Sequence, residues 1–225
     1  AGFQTGHTWP EAFSYFLEYK QRDDIGDART NWELNRHFQF VLLAKNYAAT
    51  GQKKYLEGFQ DLFVDWNQKS PFLWGISWTS VMEVAIRCSN WCYAYCFLAN
   101  TDVSAGLLKK LQNGILNMTD YISGHYSRYS SANNHLIVEA YAIGQTGIPC
   151  GYRPWIDLSL KILTRELAIQ NYPDGVNKEL SLHYQAFYME AMGLMLRLLR
   201  KNHMAVPVSW LAMLQKMCDY VATCM

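Results

Sequence analysis

The sequence carries little charge: Asp, Glu, Lys and Arg make up 17% of its 225 residues, and the formal net charge is +1. Bulk electrostatics therefore favour neither nucleic acid nor an anionic membrane surface as a partner. No apolar run reaches the length of about 18 residues that a membrane span needs. The first residues, AGFQTGHTWPEAF, lack the basic and apolar segments of a signal peptide. We expect no nucleic-acid partner and no membrane span.

The signatures of several enzyme classes are also absent. The sequence has no H-E-x-x-H zinc motif, no Walker loop, no Rossmann glycine fingerprint and no G-x-S-x-G elbow. Its six cysteines do not form the pattern of a disulfide framework. Cys88, Cys92 and Cys96 recur every four residues, which is typical of one stripe on a helix, and we expect small buried hydrophobes rather than metal ligands. The sequence predicts no metal and no cofactor in this segment.

Helical periodicity runs along nearly the whole chain. Half of the residues are hydrophobic, which is enough for a sizeable core, and strand-like alternation is scarce. Turn residues such as Thr50-Gly51 and Pro173-Asp174-Gly175 separate the periodic segments by short connections, which favour antiparallel neighbours. The predicted fold class is all-α, a series of helical hairpins. The predicted helices are 10–20, 31–50, 53–68, 77–99, 104–122, 131–146, 153–171, 176–201 and 207–224.

Polar clusters recur at the starts of alternate predicted helices. They contain Trp32, Trp78, Ser131 and Asn177, which follow one another at intervals of about 50 residues, a period typical of stacked helix–turn–helix units. If the helices that carry the clusters run parallel in one layer, their polar ends meet. We therefore expect one shared cavity or groove.

The residue types in these clusters favour an acidic saccharide as the ligand. Trp and Tyr offer flat faces to sugar rings, and Arg36 and Arg87 can bind carboxylate or sulfate. Helix N-termini add N–H groups that favour anions. Helix capping explains serines such as Ser77 and Ser130, but it does not explain His135, which lies inside its predicted helix. Taken singly, each of these residues could also be an ordinary core or surface residue.

Several of these motifs resemble those of the heparinase II/III-like polysaccharide lyases. They are WELNRH, GISWTSVMEVAIR, YSSANNHL and DGVNKELSLHY, and the resemblance covers most of the chain. It implies an incomplete (α/α) toroid followed by a β-sandwich domain. It also implies β-elimination of an acidic, uronic-acid-containing polysaccharide, with heparin or heparan sulfate as the first candidate and alginate as the second. A bacterial, periplasmic or secreted location goes with such a substrate.

The same resemblance implies roles for individual residues. Asn134 matches an amide that contacts the uronate carboxylate, and His135 matches an adjacent histidine that assists as base or stabiliser. Tyr184 matches a general acid. The residues expected to bind substrate around these three are Arg36, His37, Trp78, Arg87, Asn133, Asn177, Glu179 and His183.

The chain departs from the family pattern at two positions and in its length. Gln185 follows Tyr184 where many relatives have histidine, and Leu180 follows Glu179 where many have glutamine, so we expect the supporting hydrogen bonds to differ. No β-rich sequence follows the last predicted helix. We expect residues 1–225 to be a single truncated toroid domain, with a β-sandwich domain, and with it a structural divalent metal, in the parent protein. The isolated chain should have weak or no activity.

Two other functions stay open at this point. A toroidal glycoside hydrolase would need a pair of carboxylates, and Glu33, Glu83, Glu139 and Glu179 recur in the motif-bearing helices. A non-catalytic helical-repeat protein would instead bind acidic glycans through its aromatic side chains.

Overall fold

The computed structural model describes residues 5–20, 22, 24–129 and 132–224. Within these ranges the regular structure is helical, and strand pairing is limited to isolated bridges. Two short 3₁₀-helices, Ser14–Phe16 and Ile76–Trp78, accompany the α-helices. The α-helices are α1 (Ala28–Leu34), α2 (Phe38–Thr50), α3 (Lys53–Lys69), α4 (Val81–Leu98), α5 (Ala105–His125), α6 (Asn134–Cys150), α7 (Arg153–Ile169), α8 (Leu182–Lys201) and α9 (Val208–Thr223).

The chain divides into two compact units, which we call unit 1 (residues 1–118) and unit 2 (residues 119–225), and the boundary falls within α5. In unit 1, α2 packs against α3 and α4. In unit 2, α6 packs against α7 and α8, and α9 contacts both α7 and α8. Two-residue connections join α2 to α3 and α6 to α7, as predicted for helical hairpins. In the part of the chain that the structure describes, no helix is long and apolar enough to cross a membrane.

The core of unit 1 is aromatic. Phe40 on α2, Phe59 and Phe63 on α3, and Trp91 on α4 are all buried. The ring centroids of Phe40 and Phe59 lie 4.9 Å apart, and those of Phe63 and Trp91 lie 5.1 Å apart. A Cβ atom on Gly114 of α5 would stand 2.4 Å from the Trp91 ring, so a glycine is needed where α5 meets this cluster.

In unit 2, α6 is buried on nearly all sides, as expected for a helix that is apolar all round. Its glycines allow α7 to come close. A Cβ on Gly144 would lie 2.5 Å from the Ser159 hydroxyl, and one on Gly147 would lie 2.9 Å from the Cβ of Trp155. The Ser159 hydroxyl donates to the backbone oxygen of Ala140 at 2.7 Å, so it is not free to move aside.

Two segments predicted as helix near the N-terminus have another structure. The predicted helix 10–20 is wrong apart from the 3₁₀-helix Ser14–Phe16, because this segment pairs with residues 73–75: Ser14 N–H donates to Leu73 O at 2.8 Å, and Gly75 N–H donates to Ala12 O at 2.9 Å. The predicted helix 31–50 is interrupted between α1 and α2, where His37 adopts a left-handed backbone conformation with φ of 62°.

The predicted helices 131–146 and 176–201 start later than expected. Ser130 and Ser131, expected at the start of the former, lie outside the described residues, and α6 begins at Asn134. Before α8, Lys178 N–H donates to Gln170 O at 2.9 Å and Leu180 has a φ of 52°, so these residues form a turn instead of a helix.

The cysteine stripe on α4 is only partly buried. Cys88 is fully buried, Cys92 is half-buried and Cys96 is exposed. The expectation of burial is therefore wrong for Cys96, because four residues turn an α-helix about 40° beyond one full turn and the stripe drifts out of the core. All six cysteines are thiols and not disulfides.

Two helix-interior glycines test the close approach of α6 and α7. We expect Gly144→Ala to lower the free energy of unfolding by about 1–3 kcal/mol, because the added methyl overlaps Ser159. The control is Gly193→Ala in α8, where the added methyl meets open space. This variant should raise the free energy of unfolding by about 0.5–1 kcal/mol. Urea denaturation measures both values. Equal stability of the two variants would contradict this account of the packing.

Candidate active site

Arg36 links the polar residues before α2 to the start of α4. Its Nε donates to Oε2 of Glu83 at 2.7 Å and its Nη2 donates to Oε1 at 2.9 Å, a bidentate ion pair, and Nη1 bonds Glu33. Burial would lower the pKa of Arg36, but its ion pairs with Glu83 and Glu33 outweigh that effect and raise it. Arg36 is therefore a fixed cation, and an incoming carboxylate or sulfate would compete with Glu83 for it.

Arg87 is fully buried behind this ion pair. It donates to the backbone oxygens of Asn35 at 3.1 Å and Ser77 at 3.0 Å. Its guanidinium lies 4.6 Å from the ring centre of Trp78 and 4.9 Å from that of Trp66. Burial lowers the pKa of Arg87 to about 9. The side chain thus fixes the backbone at both polar helix starts of unit 1.

His37 lies inside the aromatic core, with 2% of its surface exposed. Its Nδ1 accepts a hydrogen bond from Trp91 Nε1 at 2.8 Å, so the ring is neutral and carries its proton on Nε2. The ring stacks on Phe40 at a centroid distance of 4.3 Å. Burial, aided by the charge of Arg87, lowers the pKa of His37 to about 2.

Three predicted substrate ligands of unit 1 therefore lie beneath the surface instead of on it. Aromatic packing covers His37, Trp78 and Arg87, whose exposed fractions are 2%, 3% and 0%. Of the predicted ligands in this unit, Arg36 keeps an accessible side chain, 21% exposed.

In unit 2, Asn134 and Glu179 join the start of α6 to the segment before α8. Asn134 Nδ2 donates to both carboxylate oxygens of Glu179, at 2.9 Å and 2.7 Å, and its backbone N–H donates to Oε1 at 3.1 Å. Asn134 is 5% exposed, and Glu179 is half-buried. The sequence predicted Glu179 as a substrate ligand, whereas the structure engages its carboxylate with Asn134.

Asn133 is the N-cap of α6, since its side-chain oxygen accepts from His135 N–H at 3.1 Å. Gln170 at the end of α7 supports this turn by donating to Asn133 O at 3.1 Å and Ala132 O at 3.2 Å. His135 itself is partly exposed at the first turn of α6.

Asn177 and Gln185 build the turn that presents Glu179. Asn177 is 2% exposed, and its side-chain oxygen accepts from Glu179 N–H at 3.0 Å. Gln185 accepts from Asn177 N–H at 2.7 Å and donates to Gly175 O at 2.9 Å. Gln185 is thus a buried brace of this turn, and Asn177 is a second brace instead of an exposed ligand.

His183 and Tyr184 occupy the first turn of α8 and are exposed. Tyr184 has 43% of its surface accessible, and its ring packs edge-on to that of His183 at 5.7 Å. Of the residues predicted for catalysis, Tyr184 is thus the most accessible to a ligand in solution.

Glu139 is a supporting residue that the sequence suggested only as a hydrolase carboxylate. It is fully buried on α6 and accepts hydrogen bonds from Ser127 N–H at 2.6 Å and Ser127 Oγ at 2.8 Å. Burial raises its pKa to about 7, against the opposing effect of the Ser127 hydrogen bonds. Its position within the apolar run LIVEAYAIG was the signal that it is buried and paired.

Each carboxylate considered for glycoside hydrolysis is already engaged by a neighbour. Arg36 binds two of them, Ser127 binds a third and Asn134 binds the fourth; the four are Glu33, Glu83, Glu139 and Glu179. Among the residues that the structure describes, no group of three His, Cys, Asp or Glu side chains could hold a metal ion. Each unit thus brings together two of the predicted polar clusters, and the meeting of all four stays a prediction.

Comparison with known proteins identifies the family. Residues 7–225 match the family model of the heparinase II/III N-terminus. The chain belongs to the heparinase II/III family. It is similar to the heparin-sulfate lyase of Bacteroides thetaiotaomicron, with 26% identity over 189 residues that cover 79% of this chain and 26% of the relative. The heparin-sulfate lyase of Pedobacter heparinus is 25% identical over 174 residues, which cover 71% of this chain and 25% of that protein. The chain thus spans 26% and 25% of the length of these two relatives.

Solved structures of heparinase II/III enzymes share the fold. A crystal structure of heparinase III matches with a TM-score of 0.78 and 21% identity, over 91% of this chain and 32% of that one. The heparan sulfate lyase of Pedobacter heparinus matches with a TM-score of 0.68 and 24% identity, over 92% and 33% of the two chains. These matches confirm the predicted fold class, all-α helical hairpins of the heparinase II/III (α/α)-toroid type.

Because His37 is buried in its neutral form, we expect the free energy of unfolding to fall in acid. Its pKa is about 2 in the folded protein, and an unfolded histidine titrates near about 6.5, so between these values the unfolded chain binds more protons. Its contribution is complete above about pH 6.5 and falls by about 1.4 kcal/mol for each pH unit below that. His37→Asn removes the titrating ring and retains a residue that tolerates the left-handed conformation.

Denaturant unfolding of both proteins between pH 7 and pH 4.5 measures this effect. The stability difference between wild type and His37→Asn should shrink as the pH falls. Other titrating groups, including Glu139, are common to both proteins and cancel in the difference. Parallel pH dependences would show that His37 is not held neutral in the folded state.

Proposed function

We propose that the full-length protein containing this chain is a polysaccharide lyase that cleaves an acidic, uronic-acid-containing polysaccharide by β-elimination. The observation that carries the proposal is the arrangement in unit 2, where a held amide, an adjacent histidine and an exposed tyrosine occupy the first turns of α6 and α8: Asn134, His135 and Tyr184. Relatives named heparin-sulfate lyases favour heparin or heparan sulfate as the substrate, with alginate as the next candidate.

The chemistry of β-elimination suits these residue types. The C5 proton of a uronate is weakly acidic, and an ionised carboxylate beside it makes its removal harder. A neutral amide such as Asn134 can hydrogen-bond the carboxyl group, ionised or protonated, without titrating itself, and the charge that develops at C5 can then spread onto the carboxyl group. We assign to His135, the next residue along the chain, the role of an assisting base or stabiliser.

The leaving group needs a proton at the same time. The C4–O4 bond breaks as the C4–C5 double bond forms, and the electron pair goes to O4. The phenolic hydroxyl of Tyr184 is a proton donor that can supply this proton. Its exposure leaves the hydroxyl accessible to a polymer.

The polymer substrate also supports a location outside the cytoplasm. The relatives are bacterial proteins, and a polysaccharide is met in the periplasm or beyond the cell. We include in the proposal a periplasmic or secreted location and a β-sandwich domain that completes the active site. The share of the relatives that this chain spans is consistent with such a further domain.

The decisive assay follows the ultraviolet absorbance of the unsaturated uronide. The full-length protein would be incubated with heparin, heparan sulfate, hyaluronan and alginate, and we expect absorbance to rise with a heparin-type polymer. Asn134→Ala and Tyr184→Phe should each lower kcat by about 100-fold or more, because each removes a group that acts in the transition state. Tyr152→Phe is the matched control, since Tyr152 is a similarly exposed tyrosine of unit 2, 49% against 43%.

Other outcomes would identify another function. New reducing ends without absorbance would show a hydrolase. Saturable binding without cleavage by the full-length protein would show a glycan-binding relative. Loss of activity in Tyr152→Phe equal to that in Tyr184→Phe would remove the specific role of Tyr184.

A further inference from the structure

The hydrogen bonds between Asn134 and Glu179 fix which end of the amide faces outward. The side-chain nitrogen of Asn134 faces the Glu179 carboxylate, with Nδ2 at 2.7 Å from Oε2 and 2.9 Å from Oε1. An ionised carboxylate can only accept hydrogen bonds, so the amide oxygen would be repelled from this position. The nitrogen therefore belongs on the Glu179 side, and the oxygen Oδ1 belongs on the other.

Glu179 is itself held in place by buried groups. Its backbone N–H donates to the Asn177 side chain, and Asn177 is bonded in turn to Gln185 and Asn171. Asn171, Asn177 and Gln185 are each less than 5% exposed. The orientation of the Asn134 amide is thus fixed by a continuous set of hydrogen bonds that reaches the core of unit 2.

The oxygen Oδ1 is the end of the Asn134 amide that remains for a ligand. Among the residues that the structure describes, no hydrogen-bond donor contacts Oδ1 of Asn134. An amide oxygen accepts hydrogen bonds and cannot donate them, so the group that it binds must carry a hydrogen.

We propose that Glu179 is a positioning residue that holds the amide of Asn134 with its oxygen, and not its nitrogen, toward the substrate. This inference rests on the proposed lyase function. Within that function, Asn134 binds the uronic carboxyl in its protonated form, whose O–H donates to Oδ1. A protonated carboxyl carries no charge to oppose removal of the C5 proton. Glu179 thus acts on the substrate only through Asn134.

An exchange of the two side-chain types tests this orientation. In the double variant that combines Asn134→Asp with Glu179→Gln, the new amide at position 179 donates to the new carboxylate at position 134. The second oxygen of that carboxylate then faces outward as an acceptor, and the total charge of the pair is unchanged. Asn134→Asp alone places two carboxylates together. Glu179→Gln alone replaces a group that only accepts hydrogen bonds by an amide that can also donate, so the Asn134 amide is no longer held in one orientation.

We expect Asn134→Asp to lower kcat about 100-fold near neutral pH, Glu179→Gln to lower it by a smaller factor, and the double variant to recover to within about tenfold of wild type, a coupling that a double-mutant cycle detects. If the amide nitrogen faced the substrate, a carboxylate at position 134 could not replace it, and the double variant would be no more active than the single ones. That result would overturn the proposal. Unfolding of all three variants by urea shows whether folding, and not orientation, explains a loss.

A second measurement does not depend on activity. In full-length protein labelled with ¹⁵N-asparagine, the side-chain NH₂ signal of Asn134 is assigned by its loss in Asn134→Asp. Both hydrogens should exchange with solvent at least tenfold more slowly than those of exposed asparagines, and Glu179→Ala should abolish this protection. Rapid exchange in the wild type would overturn the positioning role. Slow exchange in a protein that cleaves none of the polymers would leave the role of Glu179 standing and reject the lyase function instead.

Discussion

The cost of burying a polar group without a hydrogen-bond partner governs how this chain presents its polar helix starts. Burial of an unpaired amide or ion is unfavourable by several kcal/mol, so the buried members of each polar cluster bond to backbone or to one another. In unit 1, Arg87 donates hydrogen bonds to two backbone oxygens. In unit 2, Gln185 accepts a hydrogen bond from one backbone N–H and donates one to a backbone oxygen. The irregular segments before α2 and α8 owe their shape to these bonds.

The polar clusters therefore contain two kinds of residue, exposed ones and buried ones, which have different roles. Arg36, His135, His183 and Tyr184 retain surface that a ligand can reach. Buried side chains such as His37, Arg87 and Asn177 have a different role, because they hold the neighbouring backbone in its conformation. Loss of a buried member should disturb binding indirectly, through the position of an exposed one, which is why a variant's effect on activity has to be compared with its effect on stability.

Sequence reasoning predicted the family, the helical hairpins and the residues of the polar clusters because each leaves a local signal. Periodicity reveals helices, and a motif such as SSANNHL preserves order and spacing. The prediction was wrong where a residue far along the chain determines the local conformation. Residues 12–14 pair with residues 73–75, and no local sequence pattern indicates that pairing. The break at His37 was likewise invisible, since the left-handed backbone is stabilised by a ring that packs against Phe40 and Trp91, the latter far along the chain.

For the same reason, the sequence alone could not distinguish residues that can bind a ligand from residues that support the site. Residue type places Glu179 and Asn177 among plausible carbohydrate ligands, yet their hydrogen bonds to Asn134 and Gln185 give them other partners. A histidine, an arginine or a tryptophan in a motif carries the same chemistry whether it faces solvent or core. Only the packing of the neighbouring helices determines whether that side chain faces solvent or the core.

Gln185 limits which side chains position 185 can accept. Its amide satisfies an acceptor need and a donor need of one turn at the same time, at Asn177 N–H and Gly175 O. A neutral imidazole also has one donor and one acceptor, but on a rigid ring with different spacing. A histidine at position 185 would therefore not satisfy both groups of the turn as the glutamine does. The segment from Gly175 to Gln185 is thus one hydrogen-bonded unit, in which a change of one member alters the bonds of the others.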